Sequence, residues 1–491
     1  MYRQPDRRQQ EFQNFHLPFG GSLDPDNRWV RLAAIIPWEW IEERYAQLFA
    51  STGAPGKRAR MAFGALIIKQ RLGVSDEETV EQIRENPYLQ YLLGLSGFST
   101  ETPFEASTMV HFRRRLSAEV LGEINEMILA AERDEHSKES EPSGEESDSE
   151  GDEGEEPENR GQLLCDASCV PQDIRHPTDI GLLNDAREAT EAAIDVLHAE
   201  RAGGSRKPRT YRHNARRDYL RCAKNKKLTR KTFRKGRKKQ LQYLRRNLSH
   251  VQQLADEVGL WHLPRSLYRK LLVAGEVERQ QRQMHETSTN RIEGRIVSLS
   301  QPHVRPIVRG KARTAVEFGA KISLSVADGF TRLHRISWEA YNEGGDLPSQ
   351  IESYRDLYGY YPQSVHVDKI YRTRENRRYC SQRGIRISGR PLGRPPADAQ
   401  IRKATERQIR EDERKRVEVE GKLGEGKRCY GLDRVPAKLK ATSESTIAMA
   451  VVVMNLQKLL RDSFALLLYL LTFASKRRLN PEENCQALMP A

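Results

Sequence analysis

The run QLLCDA, residues 162–167, decides how the chain is read. It is apolar, short enough for a buried strand and too short for a buried helix, and it delivers Asp166 at its C-terminal end. Other strand patterns follow downstream. Arg295–Ser300 is one, and Lys321–Ala327 is another, alternating Ile322, Leu324 and Val326. Asp328-Gly329 then makes a two-residue hairpin turn into Phe330–Trp338, so three antiparallel strands are expected. A helix near Leu347–Leu357 leads to the short strand Ser364–Val367, which ends on Asp368. Tyr371–Arg383 reads as helix, Ile385–Ile387 as a last short strand, and SGRPLGRPP as a loop. Strands and helices interleaved in this way predict an α/β core.

A long charged helix is expected over Ala404–Glu420. On it Arg416, Glu420 and Lys427 stand four and seven residues apart, the spacing of one helical face. Gly421, Gly424 and Gly426 mark the expected end of the helix, which would leave Lys427 on a turn. Taken alone, such a stretch is an ordinary solvated charged helix.

Charge points to the class of partner. The 491 residues carry a formal net charge of +14. Between Asp134 and Glu158 stand thirteen acids and one lysine, a local −12, which leaves about +26 over the rest of the chain. Some twenty Lys or Arg lie between Arg201 and Arg246 against the single acid Asp218, interleaved with Tyr211, Tyr219, Phe233 and Tyr243. Such cations neutralise phosphates, and the aromatics read as anchors for the helices that carry them. The acidic run lacks the apolar content to fold and is expected to be a disordered tether.

The six cysteines form no CxxC pair and read as reduced intracellular thiols. Cys165, Cys169 and His176 lack a fourth ligand at zinc spacing, so no zinc site is expected. The N-terminal MYRQPDRRQQ has no apolar signal core. Thr446–Ala474 is broken by Asn455, Gln457, Lys458, Arg461 and Asp462, and neither apolar run reaches the roughly 20 residues of a membrane span. It reads as buried helix in a cytoplasmic protein with no membrane partner.

Before the tether the pattern is helical: Trp38–Phe49, Ala59–Leu72, Asp76–Arg84, a break at Asn86-Pro87, then YLQYLLGL. Ser107 or Thr108 is expected to cap a further helix carrying His111, Arg113, Arg114 and Arg115. This is an all-helical module, either a helix-turn-helix arrangement or a structural bundle. The expected organisation is a helical DNA-binding or dimerisation domain over 1–132, an acidic linker over 133–160, a catalytic domain over 161–478 and a tail over 479–491. The catalytic domain would hold a helical basic insertion at about 186–290.

Two acids at strand ends and one on a facing helix can hold hard divalent cations through oxygen. Metal-assisted phosphoryl transfer is the chemistry that arrangement suits. The order Asp, Asp, Glu resembles the DDE transposases of bacterial insertion sequences. Four phrases carry the likeness: RENPYLQYLLGL with FRRRL, CDASCVPQDIRHPTDIGLLNDARE, VDKIYRTRENRRYC and VEGKLGEGKRCYGL. It is closest to insertion-sequence family five. The resemblance implies an RNase H-like core, a mixed sheet flanked by helices. It also implies Asp166, Asp368 and Glu420 as catalytic acids and metal ligands for two Mg²⁺ ions, with Mn²⁺ as the alternative. The family's third motif, Tyr-x2-Arg-x3-Glu-x6-Lys, is matched by Arg416, Glu420 and Lys427, with Glu413 where the tyrosine stands.

Arg416 and Lys427, with Lys369 and Arg372 beside the second acid, are the expected DNA- or phosphate-binding groups. Glu418 points away from Glu420 on a helix; Asp173, Asp179 and Asp328 read as caps or turns; His176 and His366 read as structural. The resemblance implies double-stranded DNA partners, transposon ends and target, a homodimer or larger synaptic assembly, and a bacterial, nucleoid-associated location. The expected reaction is end binding, phosphodiester hydrolysis and joining of 3′-OH ends to target DNA. A metal-dependent nuclease without transposition and a catalytically silent DNA-binding protein are the alternatives.

Overall fold

The computed structural model describes residues 1–2, 15–17, 20–53, 55–139, 158–201, 206–225, 227, 229–308, 316–394 and 397–479. The side chains of 132, 134–139 and 464–479 lie outside that description. So does most of the expected tether, residues 140–157. The N-terminal region is built from α1 (Arg28–Ile35), α2 (Trp38–Ala46), α3 (Ala59–Leu72), α4 (Asp76–Glu85), α5 (Pro87–Leu92), α6 (Thr108–Arg115) and α7 (Ala118–Glu139).

Local chemistry explains several of these boundaries. Gly73 ends α3 at φ 68°, Ser75 Oγ accepts from Glu78 N–H to cap α4, and Asn86 Oδ1 accepts from Tyr88 N–H ahead of Pro87. Ser107 does not cap α6 as expected; its backbone is already helical and its side chain makes no capping bond. Two helices were not anticipated. The stretch ahead of the first expected helix, Trp38–Phe49, contains α1, capped by Asn27, and α7 runs past residue 132 into the stretch assigned to the tether.

One arginine of α6 is held inside the protein. Arg113 is buried and donates two hydrogen bonds to Asp76, at 2.9 and 2.6 Å, while Lys69 Nζ lies 2.8 Å from the same carboxylate. Burial alone would raise the Asp76 carboxyl; Arg113 and Lys69 hold it below the ordinary carboxylate value.

One mixed sheet occupies the other part of the chain. β1 (Gln162–Pro171) leads into four helices, α8 (Asp179–Ala199), α9 (Arg212–Ala223), α10 (Arg230–Val258) and α11 (Arg265–Glu286), which pack on one another. Then follow β2 (Arg305–Val308), β3 (Val316–Ala327), β4 (Phe330–Ser337), α12 (Leu347–Tyr358), β5 (Ser364–Val367), α13 (Arg374–Gln382), β6 (Arg386–Ile387), α14 (Ala399–Cys429) and α15 (Lys440–Leu479). The strand order is β2-β3-β1-β5-β6, with β4 also paired to β3. β3 is antiparallel to β1, β2 and β4, whereas β5 is parallel to β1 and to β6. Asp328 and Gly329 both take positive φ, 51° and 75°, giving the expected hairpin.

The expected strand at Arg295–Ser300 is not one. Ile296 and Leu299 bury themselves against α8, α10 and α11, and the Ile296 N–H is satisfied by the Gln280 side chain instead of a neighbouring strand. The strand that joins β3 lies further on, at Arg305–Val308.

One sheet face packs on α12 and α13 through Leu163, Cys165, Val365, Val367, Ile351 and Cys380. The core on the other face is continuous with that of the N-terminal helices, taking in Ile322 and Leu324, Val451 of α15, and Phe63 and Phe112. A polar staple crosses it. Buried Asn455 of α15 accepts from Thr331 N–H at 2.9 Å and donates to Thr331 O and to Asn125 Oδ1 of α7, each at 2.7 Å. Among the described residues no helix is long and apolar enough to cross a membrane. Replacing Arg113 with alanine leaves the part-buried Asp76 with Lys69 as its one remaining cation, so Arg113→Ala should lose about 2 kcal/mol of stability in urea unfolding. An unchanged midpoint with weakened DNA binding would instead make Arg113 a DNA contact.

Candidate active site

Register sets the two aspartates side by side. In the parallel ladder Gln162 stands opposite Ser364 and Cys165 opposite Val367. The next pair in sequence is Asp166 and Asp368. There the ladder stops, because Asp368 opens a 3-10 turn, Lys369–Tyr371, and its Oδ1 accepts the Lys369 N–H at 2.6 Å. β1 does not stop. It runs on to Pro171, paired only with β3, so Asp166 lies within the strand and not at its end. The open edge beyond β5 is one side of a cleft of about 950 Å³.

The third acid comes from α14, and two contacts fix where it stands. Asp412 is buried beneath β5 and β6, where it receives Arg386 Nη1 at 2.9 and 3.0 Å and the Gly389 N–H at 3.3 Å. Two turns on, Val419 packs against Leu164 and Val326. Leu164 and Asp166 share a strand face, so the residue after Val419, Glu420, meets the cleft that Asp166 lines.

The glycines do not end α14 as expected; it continues to Cys429. Gly426 is instead a packing residue, since a Cβ there would come within 2.8 Å of Leu432 and 3.2 Å of Met454. Lys427 is therefore helical, and with Arg416 and Glu420 it lines the cleft.

Arg416 stands between two of the acids. Its Nη1 is 3.4 Å from Asp368 Oδ1 and its Nη2 2.9 Å from Glu420 Oε1. Burial pushes the Asp166 carboxyl above its ordinary value; the Ala167 N–H, 2.8 Å from Oδ1, and the Arg416 charge pull it back, while Asp368 and Glu420 push it further up. Asp166 thus feels the charge of the other two carboxylates across the cleft.

Lys369 is exposed beside Asp368, and its side chain does not line the cleft. Arg372 is half-buried behind it. Its Nη2 donates to Val367 O at 2.9 Å, and its guanidinium fills the space where a Cβ on Gly389 would sit. Other candidates lie elsewhere. Asp173 pairs with Arg434, Asp179 with Arg295 and Arg237, and Glu413 and Glu418 are exposed outside the cleft. His176 packs edge-on to Phe318, and His366, driven down to about 4 by burial, faces Asp412 at 3.6 Å.

The sequence reading missed the opposite wall of the cleft, formed by Lys321, Tyr341 and Glu343. Lys321 Nζ pairs with Glu343 and donates to Tyr341 O at 2.7 Å. The only hint was a lysine at the start of an otherwise apolar strand. Asp412 was missed as well, because one acid in a charged helix carries no mark of the partner that buries it.

Among the described residues no three of His, Cys, Asp and Glu are drawn together as a ligand group for a metal ion. The donor chemistry nonetheless fits a hard cation: three carboxylates line one cleft, and an arginine already supplies positive charge between two of them.

Residues 365–457, from β5 into α15, match the family described as Transposase DDE domain. Residues 18–115 match Transposase domain (DUF772). The chain is also 29% identical over 181 residues to an uncharacterized protein, ORF8 in the nfe locus of Rhizobium meliloti, across 37% of this chain and 77% of that protein. No solved structure matches the chain. The matches support a DDE transposase family and a transposase role, and a mixed sheet flanked by helices fits an RNase H-like core.

Because burial raises the Asp166 carboxyl, ionising it costs folding stability. That cost is absent below the unfolded value of about 3.9 and is felt as pH rises above it. Asp166→Asn should therefore raise the melting temperature at pH 7, with the gain shrinking towards pH 4, as read by thermal unfolding at both values.

Proposed function

We propose that this chain is a DNA transposase that binds the terminal inverted repeats of its own element, cleaves the DNA and joins the freed 3′-OH ends to target DNA. The observation that supports this best is the meeting of Asp166 and Asp368, from adjacent parallel strands, with Glu420 of α14 in one cleft. The second and third of these acids fall inside the stretch that matches a transposase DDE domain.

Each chemical step is an in-line displacement at phosphorus. A water oxygen attacks first, the bond from phosphorus to the 3′ oxygen breaks, and a 3′-OH and a 5′-phosphate result. That 3′ oxygen then attacks a target phosphorus and displaces the target's own 3′ oxygen.

DDE transposases generally use divalent metals, and Asp166, Asp368 and Glu420 are the residues that would hold Mg²⁺ or Mn²⁺ here. Bound there, such ions supply Lewis-acid charge to the attacking and leaving oxygens. The protein's own cations do the remaining work. Arg416 balances Asp368 and Glu420, and on the same helix Lys427 faces the cleft where a phosphate would lie. Lys369 extends that positive surface beyond Asp368, and Arg372 serves it by bracing the backbone from which Asp368 turns.

The N-terminal helices are assigned to DNA binding or dimerisation, and two ends held together call for a homodimer or a larger assembly. Insertion-sequence family five is the group this reading favours.

Asp368→Ala and Glu420→Ala should each reduce end cleavage and strand transfer at least about a hundredfold while retaining DNA binding. Normal rates in either variant would remove the assignment. Arg416→Gln should bind Mn²⁺ roughly fivefold tighter, because a cation no longer competes for the two carboxylates, yet cleave more slowly. A Mn²⁺ titration of the DNA-free protein reads the first effect separately from the second.

A further inference from the structure

Two groups stand out among the twenty cations between Arg201 and Arg246. One is committed within the helical insertion. Lys207 and Arg212 share Asp195 at 2.6 and 2.7 Å, Lys239 holds Asp218 at 3.0 Å, and Arg237 is buried beside Asp179. Arg246 lies over the rings of Tyr211 and Tyr243 at 4.5 and 5.4 Å, so the aromatics anchor cations instead of waiting for bases.

The other population lies along α10. Lys231, Arg234, Lys235, Lys238 and Arg245 are all exposed, and none has a side-chain partner among the described residues. Spacings of three, four and seven place them on one stripe. The opposite side of the helix, Gly236, Gln240 and Leu244, is buried. At 1.5 Å per residue the stripe is about 21 Å long and straight.

Three features choose its partner. No acid stands on the stripe, so it suits a polyanion. Its density of lysine and arginine suits successive phosphates, and Gln242 is the single amide on it, so little is there to read base edges. The insertion that carries it leaves the sheet at β1 and returns at β2, and both strands line the cleft through Ser168 and Ile307.

We propose that this stripe is the surface that holds target DNA, duplex of arbitrary sequence, by its phosphate backbone. The assignment rests on the transposase reading, but its test does not depend on cleavage. The full-length chain with Lys231, Arg234, Lys235, Lys238 and Arg245 changed to alanine is compared with the parent for binding to a random-sequence 30-bp duplex. A second comparison uses a duplex carrying the terminal repeat that brackets the gene, and a third a single strand of equal length. Thermal unfolding checks the fold, and the milder pair Lys235→Glu with Lys238→Glu serves if the fivefold variant does not fold.

On the random duplex the slope of log K against log salt should flatten by about 4, with more than tenfold weaker binding at low salt. The loss on the terminal-repeat duplex should be smaller. An unchanged slope on the random duplex overturns the proposal, as does an equal loss on both duplexes or tighter binding of the single strand by the parent. Should the stripe behave as proposed while Asp368→Ala still cleaves, the catalytic assignment fails and the surface stands.

Discussion

The parallel register of β1 on β5 is the constraint on which the site depends. A shift by one residue would turn Asp166 to the other sheet face and bury it against α12. The register is held from both sides. Val365 and Val367 lock into the core under α12, and Ser388 ties down the end of β5 by donating from its own N–H to Val365 O and accepting the Val367 N–H. The geometry of the candidate site is therefore a by-product of burying valines.

Gathering three acids is costly, and the fold meets that cost in different ways at each. Asp166 bears it as a raised carboxyl, half-shielded in the sheet. Asp368 and Glu420 stay more open to water and share Arg416. α14 can carry Glu420 into this neighbourhood because Asp412 and Val419 grip the sheet a little further back along the same helix. A buried ion pair thus acts as a positioning device for an exposed carboxylate of the candidate site.

Much of this was legible in the sequence because it is written in short-range patterns. A strand of alternating residues, an Asp-Gly turn and an Asn-Pro helix start each depend on neighbours only. What failed depended on distant partners. Residues 295–300 have the composition of a strand but found helices to pack on before they found a sheet edge. Gly426 reads as a helix terminator until Met454 and Leu432 are seen to need its missing side chain. Arg113 stands in a run of arginines that gives no sign of its partner, an aspartate on another helix. Lys321 and Glu343 form a wall of the cleft only because a hairpin brings β3 to the loop after β4.

The staple of Asn455, Asn125 and Thr331, set in a core shared by the N-terminal helices and the sheet, has a mechanical meaning. Breaking it would leave buried amides unpaired, so the two regions have no cheap hinge between them. The protein is in this respect a fixed jig. A duplex that touches both the N-terminal helices and the cleft has to supply the compliance itself, and for a bend of 40–90° over 20–30 bp that costs on the order of 1–6 kcal/mol. Sequences that bend easily would then be favoured at positions the protein never contacts.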